Sequence, residues 1–153
     1  MNQTHINPTE LAEPIAVGHR TLWNVGVTAG LIGAAATSLT AAVARAADVS
    51  LEIKGEPIPI SGFAVFTFIG AMLGVGVATL LSRRARRPQR SFLRTSVVLT
   101  AVSILPDAFA DTDTASRIVL AITHLVAAAI IVPSIASRLA RRDPSSTGRT
   151  TPV

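Results

Sequence analysis

The stretch that decides the fold is ISGFAVFTFIGAMLGVGVATLL, residues 60–81, which contains no charged residue. An α-helix needs about 20 apolar residues to cross the hydrocarbon core of a bilayer, so a run of this length is typical of a transmembrane span. The apolar pattern stops abruptly at SRRARRPQR, residues 82–90. We therefore expect an integral membrane protein rather than a water-soluble domain.

Three further apolar stretches flank this one, so the sequence predicts an all-α membrane protein, a four-helix bundle running up-down-up-down. Of its 153 residues, 49% are hydrophobic and 15% are charged, whereas soluble domains carry roughly 25% charged residues. The third stretch is the weakest, because it contains serine, threonine, proline and aspartate. The expected spans are about 22–43, 60–81, 91–110 and 116–137.

The distribution of basic residues predicts the orientation. Eleven Lys and Arg residues lie on the side of the termini and of the loop between spans two and three, and three lie on the other side. Short loops rich in Lys and Arg stay in the cytoplasm, so both termini are expected there. The alternative of a cleaved signal peptide conflicts with the length of the first apolar run, since a signal peptide has only about 7–15 such residues.

The segments outside the spans are polar. We expect residues 1–18 to form a flexible arm and residues 143–153 to form a disordered tail, because both are rich in polar residues and proline. In the first outer loop, Val49, Leu51 and Ile53 alternate with polar residues and Lys54-Gly55 follows, which predicts an extended segment with a turn. An ordered cap and a disordered loop both remain possible for this loop.

Small residues predict where the helices pack, because close backbone approach drives helix association in lipid. The first span carries one stripe and the second another: Gly26, Gly30, Gly33 and Thr37 on the first, and Phe63, Thr67, Gly70 and Gly74 on the second. We expect the two stripes to face each other within one chain, with a dimer interface as the alternative. The aromatic side chains of Trp23 and Phe92 at the span ends are expected to anchor at the membrane–water boundary.

The candidate functional residues lie in the last two spans. Ser96, Thr100, Ser103 and Asp107 form a polar stripe on the third, and His124 lies in the fourth. Their depths predict that Asp107 and His124 approach each other in the outer half of the bundle. Such a pair could bind a proton or form the polar end of a ligand pocket. It could also lock the two helices together, or Asp107 could simply cap its helix in water.

The sequence gives little support for a metal site, a cofactor or nucleic-acid binding. The chain has no cysteine, and one histidine with one aspartate is too few for a metal site, so neither a metal nor a cofactor is expected. The basic cluster is expected to set topology and contact anionic lipid headgroups. Nucleic-acid binding is not expected, since no reader fold is recognisable. The cluster comprises Arg83, Arg84, Arg86, Arg87 and Arg90.

These features favour a non-enzymatic accessory or scaffolding module that binds a membrane-protein partner or forms a homo-oligomer. A small proton-coupled transporter using Asp107 and His124 is the first alternative. A lipid-modifying membrane enzyme is the second, although no nucleophile paired with a base is recognisable in the sequence.

Several short motifs resemble a family of small actinobacterial four-helix membrane proteins of unknown function. They include Leu22-Trp23, the run from Val49 to Glu52, Gly62-Phe63-Ala64, the run from Asp111 to Ala115, and His124-Leu125-Val126-Ala127-Ala128. The resemblance covers about residues 22–142. It implies the plasma membrane of an actinobacterium and leaves the biochemical activity open.

Overall fold

The computed structural model describes residues 13–109 and 111–141, which form four helices and a small hairpin. The helices are α1 (Glu13–Ala46), α2 (Ile60–Arg84), α3 (Pro88–Phe109) and α4 (Thr114–Ala140). The strands are β1 (Glu52–Ile53) and β2 (Glu56–Pro57).

The first helix begins earlier than expected. Residues 13–18, assigned above to a flexible arm, are the first turns of α1. Pro14 is compatible with this start, because the first-turn N–H groups of a helix have no intrahelical partner and proline lacks that group. The rest of the predicted arm, residues 1–12, and the predicted tail, residues 143–153, lie outside the described residues.

Three of the helices are long and apolar enough to cross a membrane: residues Thr21–Ala46 of α1, all of α2 and all of α4. Helix α3 does not reach the same apolar character. Its first two turns contain Arg90 and Arg94, and the stripe of serine, threonine and aspartate runs along its length. A membrane protein is thus supported by three helices.

Helix α1 packs against α2 through its glycines. A β-carbon on Gly26 would lie 2.0 Å from Val75 Cγ2, and one on Gly30 would lie 2.9 Å from the Ala71 Cβ. Farther along, Thr37 Oγ1 lies 2.9 Å from Thr67 Oγ1. Residue numbers rise along α1 as they fall along α2, so the two helices run antiparallel.

The expectation that the two stripes face each other holds where Thr37 meets Thr67 but is wrong for the glycines of α2. A β-carbon on Gly70 would have open space around it, and one on Gly74 would come no nearer than 3.8 Å to Ile135 of α4. The residues of α2 that meet the α1 glycines include Ala71 and Val75. They lie one position beyond the glycines, which is about 100° around the helix.

The core of the bundle joins α1, α2, α4 and the beginning of α3. The Phe92 side chain, expected at the membrane–water boundary, is 1% exposed and packs into this core. Its burial fastens the start of α3 to the other helices. Trp23 is 49% exposed on the surface of α1, and its anchoring at the boundary stays a prediction.

The first loop forms an ordered hairpin, in agreement with the turn expected at Lys54-Gly55. Strands β1 and β2 pair antiparallel. Lys54 and Gly55 have φ angles of 53° and 79°. Two consecutive positive φ angles are typical of the type I′ turn, whose twist matches that of a two-residue hairpin.

This hairpin is bonded to the start of α4. The Leu51 N–H donates to Ser116 Oγ at 3.0 Å, and the Lys54 N–H donates to the Asp111 carbonyl at 3.0 Å. Beneath it, the fully buried Leu51 side chain packs with Phe63 and Leu120. We call this end of the bundle the cap end, and the opposite end, with the turn at residues 85–87, the arginine end.

Asp113 organises the cap end. Its carboxylate accepts hydrogen bonds from the Ser116 hydroxyl, from the Ser116 N–H at 2.9 Å and from the Ser50 hydroxyl at 2.9 Å. These bonds, those from Ser116 foremost, lower the pKa of Asp113 to about 2. The same residue is the N-cap of α4, so one carboxylate joins the helix start to the first loop.

Candidate functional site: a cleft between three helices

A cleft of about 780 Å³ lies between α2 and α3, with α4 as its floor. It forms because α3 is held to the core by Phe92 at the arginine end and packs mainly against α4 along the rest of its length. The lining runs along α2 from Gly62 to Val77, a length of ~22 Å at 1.5 Å per residue. The cleft therefore extends along most of the apolar depth of the bundle.

The cleft opens sideways. Phe66 on the α2 rim is 74% exposed, and Leu73 and Leu99 on the two rims are also exposed. The floor is closed by residues of α4 such as Thr123 and Ile131, which are buried. The rims of this lateral opening are therefore apolar.

The polar stripe of α3 lines one wall of this cleft. Ser96, Thr100, Ser103 and Asp107 all face it, and Thr67 and Thr123 contribute hydroxyls from the other helices. Ser103 Oγ donates to the Leu99 carbonyl of its own helix at 2.8 Å. The cleft is thus an apolar space with a line of hydrogen-bonding groups along one side.

The structure brings Asp107 and His124 together at the cap-end part of the cleft. His124 Nδ1 lies 3.2 Å from Asp107 Oδ2, and the two side chains are 37% and 15% exposed. This arrangement does not match the interpretation of Asp107 as a helix cap in water. Both side chains line the cleft, which is compatible with a ligand pocket and with a lock between α3 and α4.

The contact between the two groups is an ion pair only when His124 is protonated. His124 Nδ1 lies 3.0 Å from the Leu120 carbonyl. A carbonyl can only accept, so Nδ1 carries the proton and directs it at Leu120. Asp107 Oδ2 is consequently buried without a hydrogen-bond donor from the described residues. A buried carboxylate oxygen without a donor is energetically costly, and a bound group could supply the donor.

The other predicted residues divide between two places. Gly26, Gly30 and Gly33 lie in the packing of α1, whereas Gly70 and Gly74 line the cleft. The exposed side chains of the basic cluster lie together at the arginine end, far along α2 and α3 from Asp107. They comprise Arg83, Arg84, Arg86, Arg87 and Arg90.

Sequence reasoning missed three features of the site. The first is the cleft itself, which exists because α3 packs mainly against α4 rather than against α2. Glu56 of β2 lies at the cap-end mouth of the cleft, because the hairpin folds over that end. Thr67 and Thr123 face the same space as the α3 stripe, and hydroxyls on three separate apolar helices were the available signal. Within residues 13–109 and 111–141, no group of three His, Cys, Asp or Glu residues could hold a metal ion.

A model described as a family of unknown function, DUF6069, matches residues 17–141. No curated protein and no solved structure matched the chain. The matched range contains all of the cleft.

Proposed function

Because the chain belongs to DUF6069, a family of unknown function, we propose its role from the cleft: a non-enzymatic membrane module that binds an amphipathic molecule entering sideways from the bilayer. The observation that carries this proposal is the cleft of 780 Å³, which opens laterally and has one polar wall. The role keeps the sequence-based expectation of a binding module and replaces a partner protein with a small molecule.

We include α3 as a fourth span in this proposal. The polar stripe of α3 faces the cleft, while Val97, Val98 and Val102 on other faces are exposed. A helix with apolar residues towards lipid and polar residues towards a cavity can cross a membrane even when its average apolar character is low. With the arginine-rich loops inside, both termini lie in the cytoplasm, and the membrane is the plasma membrane.

The size of the cleft fits a small molecule. Ligand pockets commonly measure about 300–1,000 Å³, and the cleft falls within that range. Binding is favoured over catalysis because Ser103, the hydroxyl nearest Asp107 along α3, donates to its own helix rather than to His124.

The experiment that tests this proposal uses octadecanol with a photoreactive diazirine in mid-chain as the probe. The purified full-length protein is reconstituted in phosphatidylcholine vesicles, illuminated and digested, and labelled peptides are identified by mass spectrometry. We expect labelling of α4 residues on the cleft floor, such as Thr123 and Ala127, that falls when excess unlabelled octadecanol is added.

Two glycine variants provide the matched comparison. Gly70→Leu places a side chain in the cleft, whereas Gly76→Leu adds the same side chain on α2 away from it, and both positions have open space for a β-carbon. Labelling of the floor should fall at least several-fold in Gly70→Leu and persist in Gly76→Leu. Equal labelling in both variants, or labelling confined to outward-facing residues, would show that the cleft does not take up the probe.

The basic cluster contributes to the proposal at the other end. Its exposed guanidinium groups are placed to contact anionic lipid headgroups, each worth about 1 kcal/mol near a charged surface. These contacts would hold the arginine end at the cytoplasmic leaflet while the cleft takes its ligand from the hydrocarbon region.

A proton-coupled carrier is the second candidate, and the contact between Asp107 and His124 favours it. Both groups can exchange protons and both face the space where a cargo would bind. In vesicles with a pH-sensitive dye inside, an imposed pH difference should decay faster with the wild-type protein than with Asp107→Asn. Identical decay for the two proteins would exclude this candidate.

A further inference from the structure

This inference rests on the proposed binding function. The charge of the cleft indicates the charge of the molecule that binds there. The titratable groups among the described lining residues are Glu56, Asp107 and His124. With a neutral imidazole their net charge is −2, and with a protonated imidazole it is −1. With both carboxylates ionised, the cleft is therefore negative in either protonation state of His124.

Three cations lie near the cleft but do not line it. The Arg45 guanidinium donates to the Ile58 carbonyl, and the Arg117 guanidinium donates to the Thr112 carbonyl at 3.2 Å. Lys54 lies exposed at the hairpin turn. All three lie at the cap end, and none of them lines the cleft.

The position of the carboxylate gives the polar group of the ligand a defined place. Asp107 Oδ2 is buried and lacks a donor from the described residues. It lies at the end of a wall of hydroxyls that continues through Ser103 and Thr100 towards the arginine end. A molecule with its head at Asp107 would thus lay its chain along the α2–α3 opening, with the head near the cap end.

We infer that the cleft binds a cationic amphiphile, a molecule with a protonated primary amine head and a long alkyl chain, whose ammonium donates to Asp107. An ammonium group supplies both the positive charge that the lining requires and the hydrogen-bond donor that Oδ2 lacks. An anionic headgroup would meet repulsion from Asp107 and Glu56 and would supply no donor. A neutral alcohol satisfies the hydrogen bond without the charge.

Competition against the photoreactive octadecanol tests this inference with three competitors of equal chain length: octadecylamine, octadecanol and octadecanoate. At pH 8, with each competitor expressed as mole fraction of the membrane, the amine should displace the probe at a roughly tenfold lower concentration than the alcohol, since hydrogen bonds to charged groups are stronger. Octadecanoate should be the weakest competitor.

Two carboxylate variants separate a specific contact from a general surface charge. In Asp107→Asn the amine should lose its advantage over the alcohol, and thermal unfolding of this variant in detergent checks that the fold persists. In Asp111→Asn, which removes an exposed carboxylate outside the cleft, the advantage should remain.

The outcomes distinguish the two proposals. Equal competition by all three amphiphiles, with the floor still labelled, would overturn the amine assignment and leave the binding function standing. An amine advantage that survives in Asp107→Asn would also overturn it, because the charge would then act from elsewhere. Absence of floor labelling in the wild-type protein would instead overturn the binding function itself.

Discussion

At the scale of single residues, the contact between Asp107 and His124 links the two helices that form a wall and the floor of the cleft. Nδ1 of the histidine is held at 3.0 Å from the Leu120 carbonyl of its own helix, so the imidazole ring is oriented before it meets the carboxylate. The same ring nitrogen lies 3.2 Å from the Asp107 carboxylate.

This geometry predicts a measurable coupling. Asp107→Asn and His124→Gln should not be additive in a double-mutant cycle of unfolding in detergent, with an interaction free energy of about 0.5–2 kcal/mol. The reason is that each single change removes the same 3.2 Å contact. Ser103→Ala paired with His124→Gln is the control and should be additive, because Ser103 bonds to Leu99. Additivity of the first pair would mean that the contact has no energetic weight.

At the scale of elements, the packing of α1 against α2 depends on the absence of side chains. Gly30→Leu should destabilise the protein by about 1–3 kcal/mol or prevent its accumulation, because overpacking forces the two backbones apart. The Cβ alone would approach Ala71 to 2.9 Å. Thermal unfolding in detergent measures the effect. Gly76→Leu is the control with open space, and a Gly30→Leu protein that melts with this control would contradict the tight interface.

The cap end makes a prediction about pH. The pKa of Asp113 is about 2 in the folded protein and roughly 3.9 when unfolded. Its ionised form therefore stabilises the fold above about pH 4, and this contribution is lost as the pH falls towards 2. Asp113→Asn retains an N-cap acceptor but no charge. Thermal unfolding should show the variant less stable than the wild type at pH 6, with the difference shrinking towards pH 2. A constant difference over this range would argue against the ionised carboxylate.

At the scale of the whole molecule, the proposed topology places the cap end outside and the arginine end inside. The chain has no cysteine, so single cysteines can report the side of each loop. Ala47→Cys and Ala115→Cys should react with a membrane-impermeant thiol reagent in intact cells, and Gln89→Cys should react only after lysis. Because Gln89 and Ala115 flank α3, reaction at both positions in intact cells would mean that α3 does not cross.

Much of this architecture can be predicted from the sequence, because a helix that crosses lipid must be long and apolar. The lengths of the apolar stretches predict the bounds of α2 and α4 within a few residues. Counting helical turns from the loop between the last two spans predicts that Asp107 and His124 lie at similar depth. The face of α2 that meets α1 was not predictable in the same way. Alanine and glycine are both small enough for a close interface, and Ala71 rather than Gly70 occupies it.

The cleft was even harder to predict from the sequence, because three helices together form it. Phe92 looked like a boundary residue by its position beside the arginines, yet its burial is what holds the start of α3 to the core. The separation of α3 from α2 beyond that point depends on side-chain volumes across the whole bundle. The polar stripe of α3 indicated a polar environment but not whether a neighbouring helix or a cavity would provide it.

The sideways opening of the cleft changes the meaning of affinity for this protein. A molecule already dissolved in the bilayer leaves one hydrocarbon environment for another when it enters, so a longer tail gains little from the transfer itself. Measured against the aqueous concentration, each added CH₂ would still seem to tighten binding by ~0.8 kcal/mol, because it favours partition into the membrane. Selectivity among molecules of the same partition coefficient would then reside in their heads, and occupancy would follow the composition of the bilayer rather than that of the surrounding water.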